Sequence, residues 1–136
     1  MFSTKYCFTI NNYFQAVEII KIAKINKIVP TLFINYFLAE HLGVDWIHEF
    51  HRILQVEFQS KDFKLYVDAK KNYGLFINLI EQKINYIKIQ ADKKTLTRLN
   101  QIAKLNKVLI NPSFSIVNLS NYKNRSAKLK KLYNKV

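Results

Sequence analysis

Asp68 follows the alternating run Phe63–Val67, and Lys70 and Lys71 follow it after a single alanine. A carboxylate at a strand end beside two ammonium groups can orient a polar ligand or take part in proton transfer. Ligands of α/β sheets bind beyond the carboxyl ends of the strands, which is where this trio would stand. The same residue types also make simple turns, with the Asp capping the backbone or pairing with a lysine. The other residues expected at that end are Asn11, Asn35, Asp92 and Asn111, with Asp92 equally readable as a helix N-cap.

His48 and His51 are three residues apart on an expected helix and could face one metal, with Asp45 or His41 completing the set. The spacing is not the His-Glu-x-x-His of zinc proteases, and a polar helix face with ordinary histidines needs no metal. Cys7 falls in an apolar strand-like segment, where a small buried side chain is the plain reading. With only Gly43 and Gly74 in the chain, a glycine-rich phosphate cradle is excluded. No cofactor is expected, and no Ser/His/Asp constellation is visible.

The charge distribution carries the strongest functional hint. Residues 1–92 hold 11 Lys/Arg and all 9 Asp/Glu, whereas residues 93–136 hold 11 Lys/Arg and no acid. Nearly all of the net +13 therefore lies in the last third. Such a one-sided field attracts polyanions. The candidate contacts are Lys93, Lys94 and Arg98 in one helix, then Lys123, Arg125, Lys128, Lys130, Lys131 and Lys135, interleaved with Tyr122 and Tyr133. Lysines meet phosphates as point charges, and tyrosines stack on unpaired bases. Heavy use of Lys, Asn and Ile with little Gly, Pro or Arg is the usage of an AT-rich genome. Lysine abundance alone therefore says little, and the missing acids say more.

The elements that would position these residues alternate. Lys5–Ile10 reads as a strand, and Asn11 or Asn12 can cap a helix running to Lys27 with Phe14, Val17, Ile20 and Ala23 inward. Ile28–Ile34 is a buried strand, with Pro30 at its start. Asn35–Leu42 is helix or turn, Gly43 ends it, and Asp45 caps a helix Trp46–Glu57 with Trp46, Ile47, Phe50, Ile53 and Leu54 inward. Phe63–Val67 is a strand and Leu75–Lys83 a helix. Ile84–Ile89 is the next strand, and Asp92 caps a helix to about Asn106 with Leu96, Leu99, Ile102 and Ala103 inward. Val108–Ile110 is a fifth strand, and Phe114–Leu119 suits an edge strand. The strand–helix pairs resemble one another only in period.

The segment Leu42-Gly43-Val44-Asp45-Trp46, the Val67-Asp68 strand end, Gly74 opening a helix and the pair Leu75–Ile89 together resemble a small uncharacterised family of alphaproteobacterial α/β proteins. That family is built like part of a TIM barrel. The resemblance covers about residues 6–112 and implies a fold, not an activity. After the strand-end Asp the family carries a small residue and a second acid, where this chain has Lys70 and Lys71.

The expectation is therefore an α/β fold of alternating βαβ units. A parallel sheet of about five strands forms an open sheet or a partial barrel over residues 1–119, followed by a basic tail, 120–136, helical or mobile. No apolar stretch approaches a membrane span, the first residues lack the pattern of a secretory signal, and a lone cysteine suits the cytoplasm. The leading functional expectation is a non-enzymatic domain contacting RNA, a ribonucleoprotein or an acidic protein through its last third. The alternatives are a ligand-binding or lyase-like domain around Asp68, or a structural subunit that forms a homodimer through open sheet edges.

Overall fold

The elements follow in the order β1 (Tyr6–Thr9), α1 (Tyr13–Ile25), β2 (Thr31–Ile34), α2 (Tyr36–Glu57), β3 (Lys64–Lys70), α3 (Tyr73–Glu81), β4 (Tyr86–Ile89), α4 (Lys93–Leu105), β5 (Leu109–Ile110), β6 (Ser115–Val117) and α5 (Arg125–Tyr133). They come from a computed structural model that describes residues 6–133, so Lys5 and Lys135 lie outside the described residues. Local chemistry explains the helix starts. Asn12, Asn35, Asn72, Asp92 and Asn124 each accept a backbone N–H three residues ahead, at 2.8–3.0 Å. Each such cap satisfies a donor that the first turn would leave unpaired.

The helix ends share a second device. Lys27, Lys83 and Lys107 follow α1, α3 and α4 in the left-handed conformation, with φ of 57°, 56° and 59°. The next residue then bonds back across the last turn: Ile28 N–H to Ala23 at 2.8 Å, Ile84 to Leu79 at 3.2 Å, and Val108 to Ala103 at 2.9 Å. This closing pattern usually employs glycine. Two of the three ends are nearly the same sequence, Ile22-Ala23-Lys24-Ile25-Asn26-Lys27-Ile28-Val29 and Ile102-Ala103-Lys104-Leu105-Asn106-Lys107-Val108-Leu109. In both, the Asn side chain donates to the carbonyl four residues back, at 2.8 and 2.9 Å. The units therefore share a local sequence code, not merely a period.

All pairings are parallel, in the order β5-β4-β3-β2-β1-β6. The sheet has six strands where about five were expected, because the segment after Pro112 pairs with β1. From β1 to β5 each step moves to the adjacent strand in the same direction. Right-handed crossovers then place α1 to α4 on one face. The main core fills that side, from Phe8, Leu32, Leu65, Val67 and Ile87 on the strands to Ile20, Leu54, Leu79 and Leu99 on the helices.

The sheet is strongly curled. Laid flat, its outer strands would stand about 24 Å apart. Yet β5 and β6 are joined by residues 111–114 alone, whose extended reach is at most about 17 Å. The register tells the same story. Thr9, Phe33, Tyr66, Tyr86 and Leu109 lie on one level, while on the far side of β1 Phe8 is level with Val117. One stretch of chain, 109–117, thus meets nearly the same level at both ends of the sheet, as the stagger of a barrel requires. The concave face is filled by Cys7, Phe33, Tyr66 and Tyr86, with Phe114 delivered by the 111–114 link. Phe114 lies 5.6 Å from Tyr66 and 5.0 Å from Tyr86, ring to ring.

Several expectations change in detail. In α1 the inward face is Ala16, Ile19, Ile20 and Ala23, and Phe14 is 80% exposed. Ile53 and Ile102, also expected inward, are 38% and 36% exposed. As expected, Gly43 ends a helical segment: it takes φ 85° and ψ 172°, and α2 is two helices that meet across this kink. The second resumes directly after Gly43, ahead of Asp45, which is therefore not its cap. Only glycine adopts that φ without strain. The C-terminal segment is docked: Leu129 is fully buried, and Tyr133 packs 5.8 Å from Tyr6 and 6.3 Å from Phe8.

Candidate functional site

Side chains of a strand alternate between faces, so the concave positions beyond Tyr66 and Tyr86 are Asp68 and Lys88. The two are direct partners across β3 and β4. They stand at the carboxyl end of the sheet, above the aromatic filling. Beside them opens a depression of ≈ 340 Å³ lined by Tyr66, Lys88, Gln90, Asn111, Pro112 and Phe114. This is the end at which both TIM barrels and open α/β sheets hold their ligands.

Each polar group in the mouth is placed by a backbone device. Ile89 donates its N–H to Asn111 Oδ1 at 2.8 Å, and Asn111 donates its own N–H to Ile87 at 2.9 Å. This clamp holds Asn111 at φ 49° and leaves its amide Nδ2 without a hydrogen-bond partner among the described residues. Lys88 is half-buried, and it is in none of the three ion pairs among the described residues. Its charge reaches across the concave face, where it partly offsets the burial that pushes the Cys7 thiol up to about 12. Burial likewise pushes Tyr66 up to about 12, with smaller contributions from Cys7 and Asp68.

The Asp68-Lys70-Lys71 trio is divided. A bulge interrupts the β3–β4 register between Asp68 and Lys70. Asp68 Oδ1 accepts the Lys70 N–H at 2.9 Å, and Lys70 takes φ 52°. Bulges re-aim side chains, and here the Lys70 ammonium lies over the Tyr36 ring, 5.5 Å from its centre. Lys71 is exposed. The lysine that shares a face with Asp68 is therefore Lys88. Its signal was present in Ile84-Asn85-Tyr86-Ile87-Lys88-Ile89, whose alternation puts Lys88 with Tyr86 and opposite Ile87 and Ile89.

The other candidates separate as well. His48 is exposed and His51 half-buried, its ring edge-on to Phe63 with 6.0 Å between ring centres. Burial, then the His48 charge, lowers the His51 pKa. Among the described residues no three metal-ligating side chains converge, so neither Asp45 nor His41 completes a set. Asn35 and Asp92 are N-caps.

The basic residues fall on two helices. Lys93, Lys94 and Arg98 are exposed on α4, and Lys123, Lys130 and Lys131 are exposed on or before α5. Arg125 is engaged within the fold by both oxygens of Glu18, at 2.7 and 2.8 Å, tying α5 to α1. Lys128 lies 4.6 Å from the centre of the Tyr122 ring.

No protein-family model matches the chain, and no curated protein matches it. No helix among the described residues is long and apolar enough to cross a membrane.

Proposed function

We propose that this chain is a small-ligand-binding domain that takes an anionic group, a carboxylate or a phosphate, in the mouth of its curled sheet. The observation that carries the reading is Lys88, a half-buried lysine that lines a concave depression and is in no ion pair among the described residues. An ammonium in a concave, partly apolar surround attracts an anion more strongly than one on an open surface, because less water screens it. The Asn111 Nδ2 donor lines the same depression, and the aromatic floor of Tyr66 and Phe114 offers an apolar body somewhere to rest. Asp68 would select against ligands carrying a second negative charge on its side.

The test is thermal denaturation with a panel of small phosphates and carboxylic acids, run on the parent chain, Lys88→Gln and the surface control Lys130→Gln. The reading requires a ligand that raises the parent Tm by several degrees, with the rise lost in Lys88→Gln and kept in Lys130→Gln. Equal shifts in both variants, or none in the parent, would reject it.

A second reading rests on the exposed cations of α4 and α5. In it, a cytoplasmic protein contacts RNA or a ribonucleoprotein through its basic last third. Deleting residues 121–136 would remove the buried Leu129 and so cannot test this. Replacing Lys93, Lys94, Arg98, Lys123, Lys130 and Lys131 by Gln can. Binding of single-stranded RNA should fall steeply with salt, and the slope should flatten in that variant. Salt-independent binding removes the reading. Self-association through the open edges of β5 and β6 is a further proposal, opposed by the mutual repulsion of chains at net +13. Light scattering at low and high salt decides it.

A further inference from the structure

A second depression, of ≈ 450 Å³, runs between α4 and the free edge of β5. Its α4 wall is the stripe Lys93, Leu96, Asn100 and Lys104, positions that recur on one helix face. Leu109 and Ile110 make the opposite wall. Lys93 and Lys104 are three turns apart, about 16 Å along the axis. The groove thus has an apolar centre with a cation near each end. No acid is among its lining residues, and neither lysine is in an ion pair among the described residues. Leu109 is 55% exposed, as an apolar side chain awaiting cover would be.

We propose that this groove docks an acidic segment of a partner protein, with the segment's apolar side chains on Leu96, Leu109 and Ile110 and its carboxylates on Lys93 and Lys104. Charge selects this occupant over the alternatives. A second copy of a chain at net +13 would bring cations against cations. RNA would find the lysines but no aromatic surface in the groove on which to stack a base. An amphipathic acidic segment satisfies both the floor and the ends. The groove adjoins the Lys88 mouth at Asn111, which lines both, but its two cations and its apolar residues take no part in the mouth.

The experiment uses the full chain and two fluorescein-labelled peptides of equal length and charge. One is built of Glu and Leu, with Leu recurring every third or fourth residue. The other has each Leu replaced by Ser. Anisotropy titrations are run on the parent, on the exposed-residue variant Lys93→Glu/Lys104→Glu, and on the control Lys130→Glu/Lys131→Glu. The Leu-containing peptide should bind the parent about tenfold more tightly than the Ser peptide. It should weaken by more than tenfold in the α4 variant and by less than threefold in the α5 control. Equal affinity for both peptides would reduce the groove to unspecific charge and overturn the proposal. So would no binding, or equal losses in the two variants. Single-stranded RNA that binds more tightly than the peptide and loses most in the α4 variant would assign the same face to nucleic acid. Lys88→Gln should leave peptide binding unchanged, so failure of the mouth reading and failure of this one are separately visible.

Discussion

Asp68 and Lys88 stand opposite each other across β3 and β4 without forming an ion pair, because the Asp68 carboxylate is turned onto the Lys70 N–H of its own bulge. Asn in place of Asp68 keeps a carbonyl oxygen for that turn and removes the negative charge beside the anion site. Asp68→Asn should therefore strengthen binding of a small anion about three- to tenfold, by titration calorimetry. Asp68→Ala should also cost about 1 kcal/mol of stability, because it removes the turn hydrogen bond. Weaker anion binding in Asp68→Asn would mean that the carboxylate itself holds the ligand.

The three left-handed lysines that close helices carry a removable strain. Replacing Lys27, Lys83 or Lys107 by Gly should stabilise the fold by about 1 kcal/mol each in urea denaturation, after allowing for the extra freedom glycine gives the unfolded chain. The three sites lie in separate turns, so the triple variant should show nearly the sum. A loss of stability at any of them would show that the lysine side chain contributes more than its backbone conformation costs.

The last helix is part of the core rather than an appendage. Leu129→Ala should destabilise by about 2–5 kcal/mol, the cost of emptying a fully buried site. Lys130→Ala, one residue on and exposed, should change stability by no more than about 0.5 kcal/mol. Arg125→Ala should cost less than about 1 kcal/mol, since both it and Glu18 remain partly in water.

Alkaline conditions should weaken the fold. The Cys7 thiol is raised from 9.0 to about 12 by burial, and Tyr66 and Tyr133 from 10.0 to about 12, again mainly by burial. The unfolded chain releases these protons at lower pH than the folded one. Their contribution is complete below about pH 9 and is lost as pH rises toward 12. Chemical denaturation from pH 8 to 11 should show a falling midpoint, less steep in Cys7→Ala. Native Cys7 should also resist alkylation at pH 8, because it is fully buried and protonated. Rapid native labelling would contradict both points.

Much of this arrangement is legible in the chain. The Asn and Asp caps, the continuous apolar strand leading to Ile34 and the periodic stripes of α3 and α4 are local signals, and local signals read well. Faces were less secure. Phe14 shares a helical stripe with Ile20 and Ala23, yet it is solvent-exposed, because the curled sheet covers the arc through Ala16 and Ile19 instead. The sixth strand was legible as an edge, but not the partner it would choose. That choice depends on the reach of residues 111–114 and the stagger of the whole sheet, which no local window contains. The mouth was half legible for the same reason. Asp68 and Asn111 announce themselves as strand ends, whereas Lys88 matters only once the concave face is known to be open there, and Lys70 leaves the site through a bulge.

The first strand receives its second neighbour only from a segment far along the chain. During synthesis β1 can pair with β2 early, but its other edge waits for residues 115–117. Phe114, which fills the concave face between Tyr66 and Tyr86, arrives just before them. A chain that has not yet added residues 114–117 therefore exposes an unpaired strand edge beside a half-empty aromatic hollow. Both are surfaces on which partly folded chains adhere to one another.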